Sequence, residues 1–241
     1  MEYVGISETG LVREMNQDAI LMHADTCAGF FAVADGMGGH SHGEWASRHI
    51  IMELEVWWKQ FRATSYENDF RRMTVSIKQA VDQANREIYT TYNRMTICGS
   101  TIAVLFLYQN QYCILYAGDS RVYQYQGNEL TLLTIDETWE NQAGLSPEER
   151  KDFLNPNYGK LVNAIGTRET MRCRILTGVW EDDSLFLLCT DGLYKFCTNK
   201  ELKYYMKKSR KADNLGNICN QIRDTVYRNG AGDNVSYIIV R

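Results

Sequence analysis

The sequence is poor in proline and lacks closely paired cysteines. Two prolines occur in 241 residues, Pro147 and Pro156, and both fall in one polar stretch. No Pro-rich linker divides the chain, and no domain boundary is expected. The seven cysteines include no Cys-x-x-Cys pair, so the ligand spacing of a zinc site is absent. Several cysteines sit in apolar runs, as in Leu188-Cys189, and read as small buried thiols of a reducing compartment. The four histidines, at 23, 40, 42 and 49, share one stretch, and no Gly-x-Ser-x-Gly elbow occurs. That combination gives a serine hydrolase no support. No apolar run reaches about 18 residues, so no membrane span is expected. The opening Met1-Glu2-Tyr3-Val4-Gly5 lacks the basic and apolar regions of a secretory leader, which points to a cytoplasmic protein. Basic charge is not in excess either: 26 Lys and Arg stand against 30 Asp and Glu, a net charge of −4. A generic basic face for nucleic acid is therefore excluded.

What is present is ordinary globular text, 44% hydrophobic and 23% charged. Strand-like runs open the chain at Tyr3–Ile6, Ala19–His23 and Phe30–Ala34. Two helices follow. The first is expected from Ser41, with Glu44 completing a capping-box pattern, and carries Trp45, Ile50, Ile51, Leu54, Trp57, Trp58 and Phe61. The second carries Phe70, Met73, Ile77, Val81, Ala84, Ile88 and Tyr92 at three-four spacing. A meander of strands is expected over 98–134, with turns at Asn110-Gln111 and Gly127-Asn128. Residues 136–160 break the pattern and include a short helical candidate, Ser146–Phe153. Strands return at 172–179, 184–189 and 235–240, with helices at 199–208, capped by Thr198 and Glu201, and at 213–228. Runs of hairpin strands with segregated helices predict an α+β fold.

Four aspartates stand at the rims of apolar runs. Asp35 follows Phe30–Ala34, Asp119 follows Ile114–Gly118, Asp191 follows Leu185–Thr190, and Asp233 precedes Val235–Val240. Any one of them reads first as a turn residue. Four together, if their strand ends converge, would repel strongly, and hard cations with oxygen ligands, Mg²⁺ or Mn²⁺, would relieve that repulsion. Arg13, in Arg13-Glu14-Met15-Asn16-Gln17-Asp18, could grip a phosphoryl group beside such a centre. The stretch Gly36–Ser41 allows close backbone approach to a ligand, but it lacks the Gly-Lys-Ser/Thr of a nucleotide P-loop.

These segments, in order, resemble the metal-dependent protein phosphatase family often called PP2C or PPM. The matching text is Arg13-x-x-Asn16-Gln17-Asp18, Val33–His40 with Gly43-Glu44-x-Ala46-Ser47, Gly99-Ser100-Thr101, Ala117–Arg121, Leu161–Gly166, Thr190–Leu193 and Gly232–Val235. It spans about residues 3–240, with the look of stand-alone bacterial members. The resemblance implies a four-layer αββα sandwich, two mainly antiparallel sheets flanked by helix pairs, as a single domain over residues 1–241 with a flap-like segment at about 136–160. It implies two core ions, Mn²⁺ or Mg²⁺, and a weaker third. Asp35 would bridge the two, with the Gly36 carbonyl on one and Asp191 and Asp233 on the other. Asp119 matches the third-ion position, Asp18 a position near the ions, and Arg13 the phosphate-binding arginine. The implied reaction is hydrolysis of phosphoserine and phosphothreonine in proteins by a metal-bridging hydroxide, without a phosphoenzyme. The implied partners are phosphorylated proteins, including a Ser/Thr kinase and its substrates, and a monomer is expected.

Three departures stand out. Met37 replaces the histidine that follows Asp-Gly in many eukaryotic relatives, Gln17 stands where many members have glutamate, and Asp136-Glu137-Thr138-Trp139 follows the flap text loosely. The rival phosphatase classes fail on residues. No cysteine has arginine six places on, and neither Asp-x-Asp nor Gly-Asn-His-Glu occurs. The remaining alternative is a catalytically weak or inactive module of the same fold that signals or binds. Loss of a metal aspartate would mark it, and Asp35, Asp191 and Asp233 are all retained.

Overall fold

The structure is a computed structural model describing residues 1–38, 42–63, 69–92, 98–142 and 144–241. The proposed start of the first helix at Ser41, and His40 beside it, lie outside the described residues. The elements run β1 (Tyr3–Glu8), β2 (Asp18–Ala24), β3 (Ala28–Gly38), α1 (His42–Ala63), α2 (Phe70–Tyr92), β4 (Cys98–Ser100), β5 (Ile102–Tyr108), β6 (Gln111–Ala117), β7 (Arg121–Gln126) and β8 (Glu129–Leu132). They continue as β9 (Arg174–Val179), β10 (Leu185–Cys189), α3 (Asp191–Tyr194), α4 (Asn199–Ser209), α5 (Leu215–Arg228) and β11 (Val235–Val240).

Strand alternation sorts the side chains into three apolar layers. One sheet has the order β1-β11-β10-β7-β8 and the other β2-β3-β5-β6-β9, with β4 added to β3. All of the strand pairings are antiparallel. Phe31 and Val33 of β3, Leu105 of β5, Ile114 of β6, Leu188 of β10 and Ile238 of β11 face one another between the sheets. Their neighbours face outward: Phe30 and Phe106 pack on Leu54, Trp57 and Ile77 of α1 and α2, and Leu187 and Tyr237 pack on Met206 and Ile222 of α4 and α5. The result is the α+β sandwich, helix pair on sheet on sheet on helix pair. Each fully buried large side chain contributes about 1.5–3 kcal/mol.

The helix starts and stops follow local chemistry. Thr198 and Glu201 form the reciprocal capping box of α4, and Asn214 caps α5 through the Gly216 N–H. The Ser146–Phe153 candidate is corrected to a single 3₁₀ turn at Glu149–Lys151. Ser146 and Glu149 do exchange capping hydrogen bonds, at 2.8 and 3.2 Å. Pro147–Asp152 then offers no apolar face to bury, so nothing offsets helix nucleation.

Candidate metal centre

The layer between the sheets is apolar in the middle and ionic at one end, and the alternation of β3 shows why. Phe31 and Val33 point into that layer, so Asp35, two residues on, points the same way. Asp35 is therefore a strand residue and not the turn residue it could be if read alone. On β2, Asp18 lies directly opposite Asp35 in the antiparallel register. Two like charges in facing positions destabilise a sheet. From the other sheet, Thr190 follows β10 as the N-cap of α3 and donates its hydroxyl to Asp18 Oδ2 at 2.8 Å. Asp191 opens α3 one residue later.

Burial raises the Asp35 carboxyl well above the usual range, and Asp18, Asp191, Asp119 and Asp233 add to it. Burial likewise raises Asp18 to about 7, reinforced by Asp191 and Asp233 and opposed by its hydroxyl donors. Asp119 is pushed up to about 6 by burial, then by Asp191 and Asp136. The predicted aspartates thus share one electrostatic neighbourhood, with Asp18 added to the four at strand rims.

Two cations answer them. Arg13 Nη2 donates to Asp233 Oδ2 at 2.9 Å, and Lys195 donates to Asp191 one helical turn away. Arg13 is placed by Asn234, whose amide donates to the carbonyls of Thr9 and Met15 at 2.9 and 2.8 Å, while its Oδ1 accepts the Gln17 N–H at 2.9 Å. Close backbone approach fixes the frame. A side chain on Gly36 would come 2.0 Å from the Gly43 carbonyl oxygen, and one on Gly192 would come 1.8 Å from that of Asn234.

Asp119 sits in the bend between β6 and β7 and is nearly buried. Tyr194 donates to its Oδ2 at 3.2 Å. Burial and the neighbouring carboxylates raise the Tyr194 phenol far up, so it remains a donor. The Arg121 guanidinium lies 3.5 Å above the Tyr194 ring and forks onto Asp136 at 2.7 to 3.3 Å. Residues 136–160 are tied to this corner, since the Glu137 N–H donates to the Gly118 carbonyl at 3.0 Å and the Gly118 N–H to Glu137 Oε2 at 3.1 Å.

The residues fit hard divalent cations. Their donors are oxygens, and Asp18 Oδ1 and Asp191 Oδ1 are buried with no hydrogen-bond partner. A buried carboxylate oxygen without a partner is costly unless a cation or water meets it. The tightest potential ligand group among the described residues lies elsewhere: His49, Glu53 and Glu87 have ligand atoms within 4.8 Å of one another. That group belongs to the packing of α1 on α2, where His49 Nε2 meets Glu87 Oε2 at 2.6 Å and stacks on Trp45 at 4.8 Å. Sequence reasoning assigned no role to Tyr194, Lys195, Thr190 or Asn234. Only the Asp191–Lys195 spacing of four gave a local signal for one of them.

Known proteins resemble this chain along most of its length. A family model for protein phosphatase 2C matches residues 12–215. The serine/threonine phosphatase stp of Listeria monocytogenes is 24% identical over 241 residues, covering 97% of this chain and 93% of that protein. The protein phosphatase PhpP of Streptococcus pneumoniae is 28% identical over 210 residues, covering 84% and 83%. Among solved structures, the S. agalactiae serine/threonine phosphatase superposes with a TM-score of 0.85 at 21% identity, covering 99% of this chain and 98% of that one. The catalytic domain of PstP in complex with two manganese ions superposes at 0.77 with 24% identity, covering 99% and 96%. Carboxylates gathered at one end of a two-sheet sandwich, on a chain that this model spans from Val12 to Leu215, settle the kinship: the chain belongs to the protein phosphatase 2C family.

Proposed function

We propose that this chain is a metal-dependent protein phosphatase that hydrolyses phosphoserine and phosphothreonine. The observation that carries the reading is the convergence of Asp18, Asp35, Asp119, Asp191 and Asp233 on one corner with Arg13 beside them. The names of its relatives support it. Asp35, the Gly36 carbonyl, Asp191 and Asp233 would hold two divalent cations, Mn²⁺ or Mg²⁺, and Asp119 a weaker third. The two manganese ions bound by the PstP catalytic domain support a divalent-metal centre here. Bound cations supply an acidified water and neutralise charge on the phosphoryl group.

The chain's own residues do the rest. Arg13 is exposed on its outer side, and its fork can take a phosphoryl oxygen while Asp233 holds its other edge. Asp18 Oδ2 is occupied by Thr190, so its open Oδ1 is the acceptor that orients a water or holds a proton. Tyr194 keeps the Asp119 carboxylate aimed. Met37 has no proton to give, so protonation of the leaving serine or threonine falls to water.

Residues 1–241 act as one phosphatase unit in this reading, with residues 136–160 beside the cleft. No described helix is long and apolar enough to cross a membrane, and a cytoplasmic bacterial monomer that opposes a Ser/Thr kinase fits the reading. The test is phosphate release from a phosphothreonine peptide with Mn²⁺ and with excess chelator. Turnover that needs Mn²⁺ and vanishes in Asp35→Asn supports it. A folded sample inert across Mn²⁺ and Mg²⁺ concentrations would instead indicate a binding module.

A further inference from the structure

Next to the carboxylate corner the charge reverses. A cavity of about 740 Å³ is lined by Arg168, Arg172 and Arg174, with Thr170, Asn163 and Glu137 among its walls. Glu137 is the one carboxylate in that lining, and it is already saturated. Its Oε1 accepts from Arg174 Nε at 2.8 Å, and its Oε2 from Asn163 at 2.6 Å and from the Gly118 N–H at 3.1 Å. Arg168 and Arg172 are exposed and make no ion pair among the described residues. The neighbouring cavity that holds Glu169 also holds Asp82, and there Lys78 and Arg86 offset them.

The loop that carries these arginines is held firmly. Buried Asn85 of α2 donates to the carbonyls of Arg168 and Glu169, each at 3.1 Å, and its Oδ1 accepts the Gly166 N–H at 2.7 Å. At the other end, Asn163 donates to the Arg172 carbonyl at 2.9 Å. Two unpaired guanidiniums on a pinned backbone lose less freedom on binding an anion than they would on a free loop. Glu137 connects the cavity to the reacting corner, because Gly118, which donates to it, precedes Asp119.

We infer that this cavity is an anion subsite for the phosphoprotein substrate. Arg168 and Arg172 would receive an acidic side chain or a second phosphoryl group flanking the phosphorylated residue. The inference rests on the phosphatase reading and sharpens it to acidic or multiply phosphorylated segments.

The test uses the full chain and three phosphothreonine peptides, flanked by glutamine, by glutamate, or by a second phosphothreonine. Turnover is followed with Mn²⁺, and binding is followed separately by fluorescence anisotropy. p-Nitrophenyl phosphate, which has no flank, serves as the control substrate. The expected result is a preference of ~5–10-fold for one or both anionic flanks, carried by KM and by the dissociation constant. Arg168→Gln with Arg172→Gln should erase it and leave p-nitrophenyl phosphate turnover unchanged. Which flank gains tells the carboxylate source from the phosphoryl source. Equal binding of all three peptides, or a preference that survives in the double variant, overturns the subsite. So does an equal loss on p-nitrophenyl phosphate, which would place the arginines in the reacting site itself. Absence of turnover on every substrate would count against the phosphatase reading, and the anisotropy arm would still decide the subsite.

Discussion

Phe31 and Asp35 stand on the same strand and the same face, four residues apart, in opposite worlds. Phe31 is fully buried among Leu105, Ile114, Leu188 and Ile238. Asp35 faces Asp18 across the strand pair and feels the charge of Asp119, Asp191 and Asp233. The middle of the inter-sheet layer gains stability from apolar burial, while its end gives stability up by crowding carboxylates. One backbone geometry serves both, since the alternation that buries Phe31 and Val33 also aims Asp35.

Substitution at the two positions should separate the two roles. Asp35→Asn is expected to lower Mn²⁺-dependent turnover by ~10³-fold. The same change should leave the metal-free melting temperature equal or higher, because it removes a repelling charge. Phe31→Ala should do the reverse, costing about 3–5 kcal/mol, which in a domain of ordinary stability leaves little folded protein. Phosphate release and denaturant unfolding on both variants check the pair. An Asp35→Asn protein that unfolds as readily as Phe31→Ala would mean that the carboxylates are part of the core's support.

Much of this contrast is readable from residues alone, and the remainder depends on register. The apolar stripes of α1, α2, α4 and α5 and the strand runs follow from periodicity, and the aspartates at strand rims are visible as soon as the runs are. The pairing of Asp18 with Asp35 is not, because it depends on how β2 and β3 align. Arg13 reaches Asp233 across 220 positions of sequence, through a loop held by Asn234. Tyr194 carries no local mark of its bond to Asp119, and the pinned arginine loop is fixed by Asn85 on a helix more than 80 positions earlier. The one-turn fate of Ser146–Phe153 teaches the converse: a good capping pair does not make a helix without a face to bury.

The ionic end should also show itself in pH. Burial pushes the Asp18 and Asp119 carboxyls up to about 7 and about 6 in the folded, metal-free chain, above the usual unfolded value near 4. Groups raised on folding contribute stability that is full below the unfolded pKa and lost as pH rises through the folded one. The metal-free protein should therefore gain stability, of the order of 4 kcal/mol, as pH falls from 8 to 5. Saturating Mn²⁺ should flatten that slope, because cations favour the ionised carboxylates. Thermal melting across this range with chelator and with Mn²⁺ is the measurement. A metal-free slope of the opposite sign would show that the carboxylates are better solvated than their burial implies.

The smallest effect sharpens the comparison from the outside. α4 covers the outer face of the sheet whose strands β10 and β11 flank Asp191 and Asp233, and its first turn is closed by Thr198 and Glu201. Thr198→Ala removes the hydroxyl that accepts the Glu201 N–H at 3.3 Å and should cost ~1 kcal/mol in denaturant unfolding. Met206 and Leu202 remain packed, so the sheet keeps its place and Asp191 keeps its aim. Turnover at 25 °C should then stay within about twofold of the parent, and the Mn²⁺ concentration for half activity should not move. If the cap change did shift that concentration, α4 would be coupled to the carboxylate corner, and the boundary between the supporting layers and the ionic end would lie farther out than the inter-sheet face.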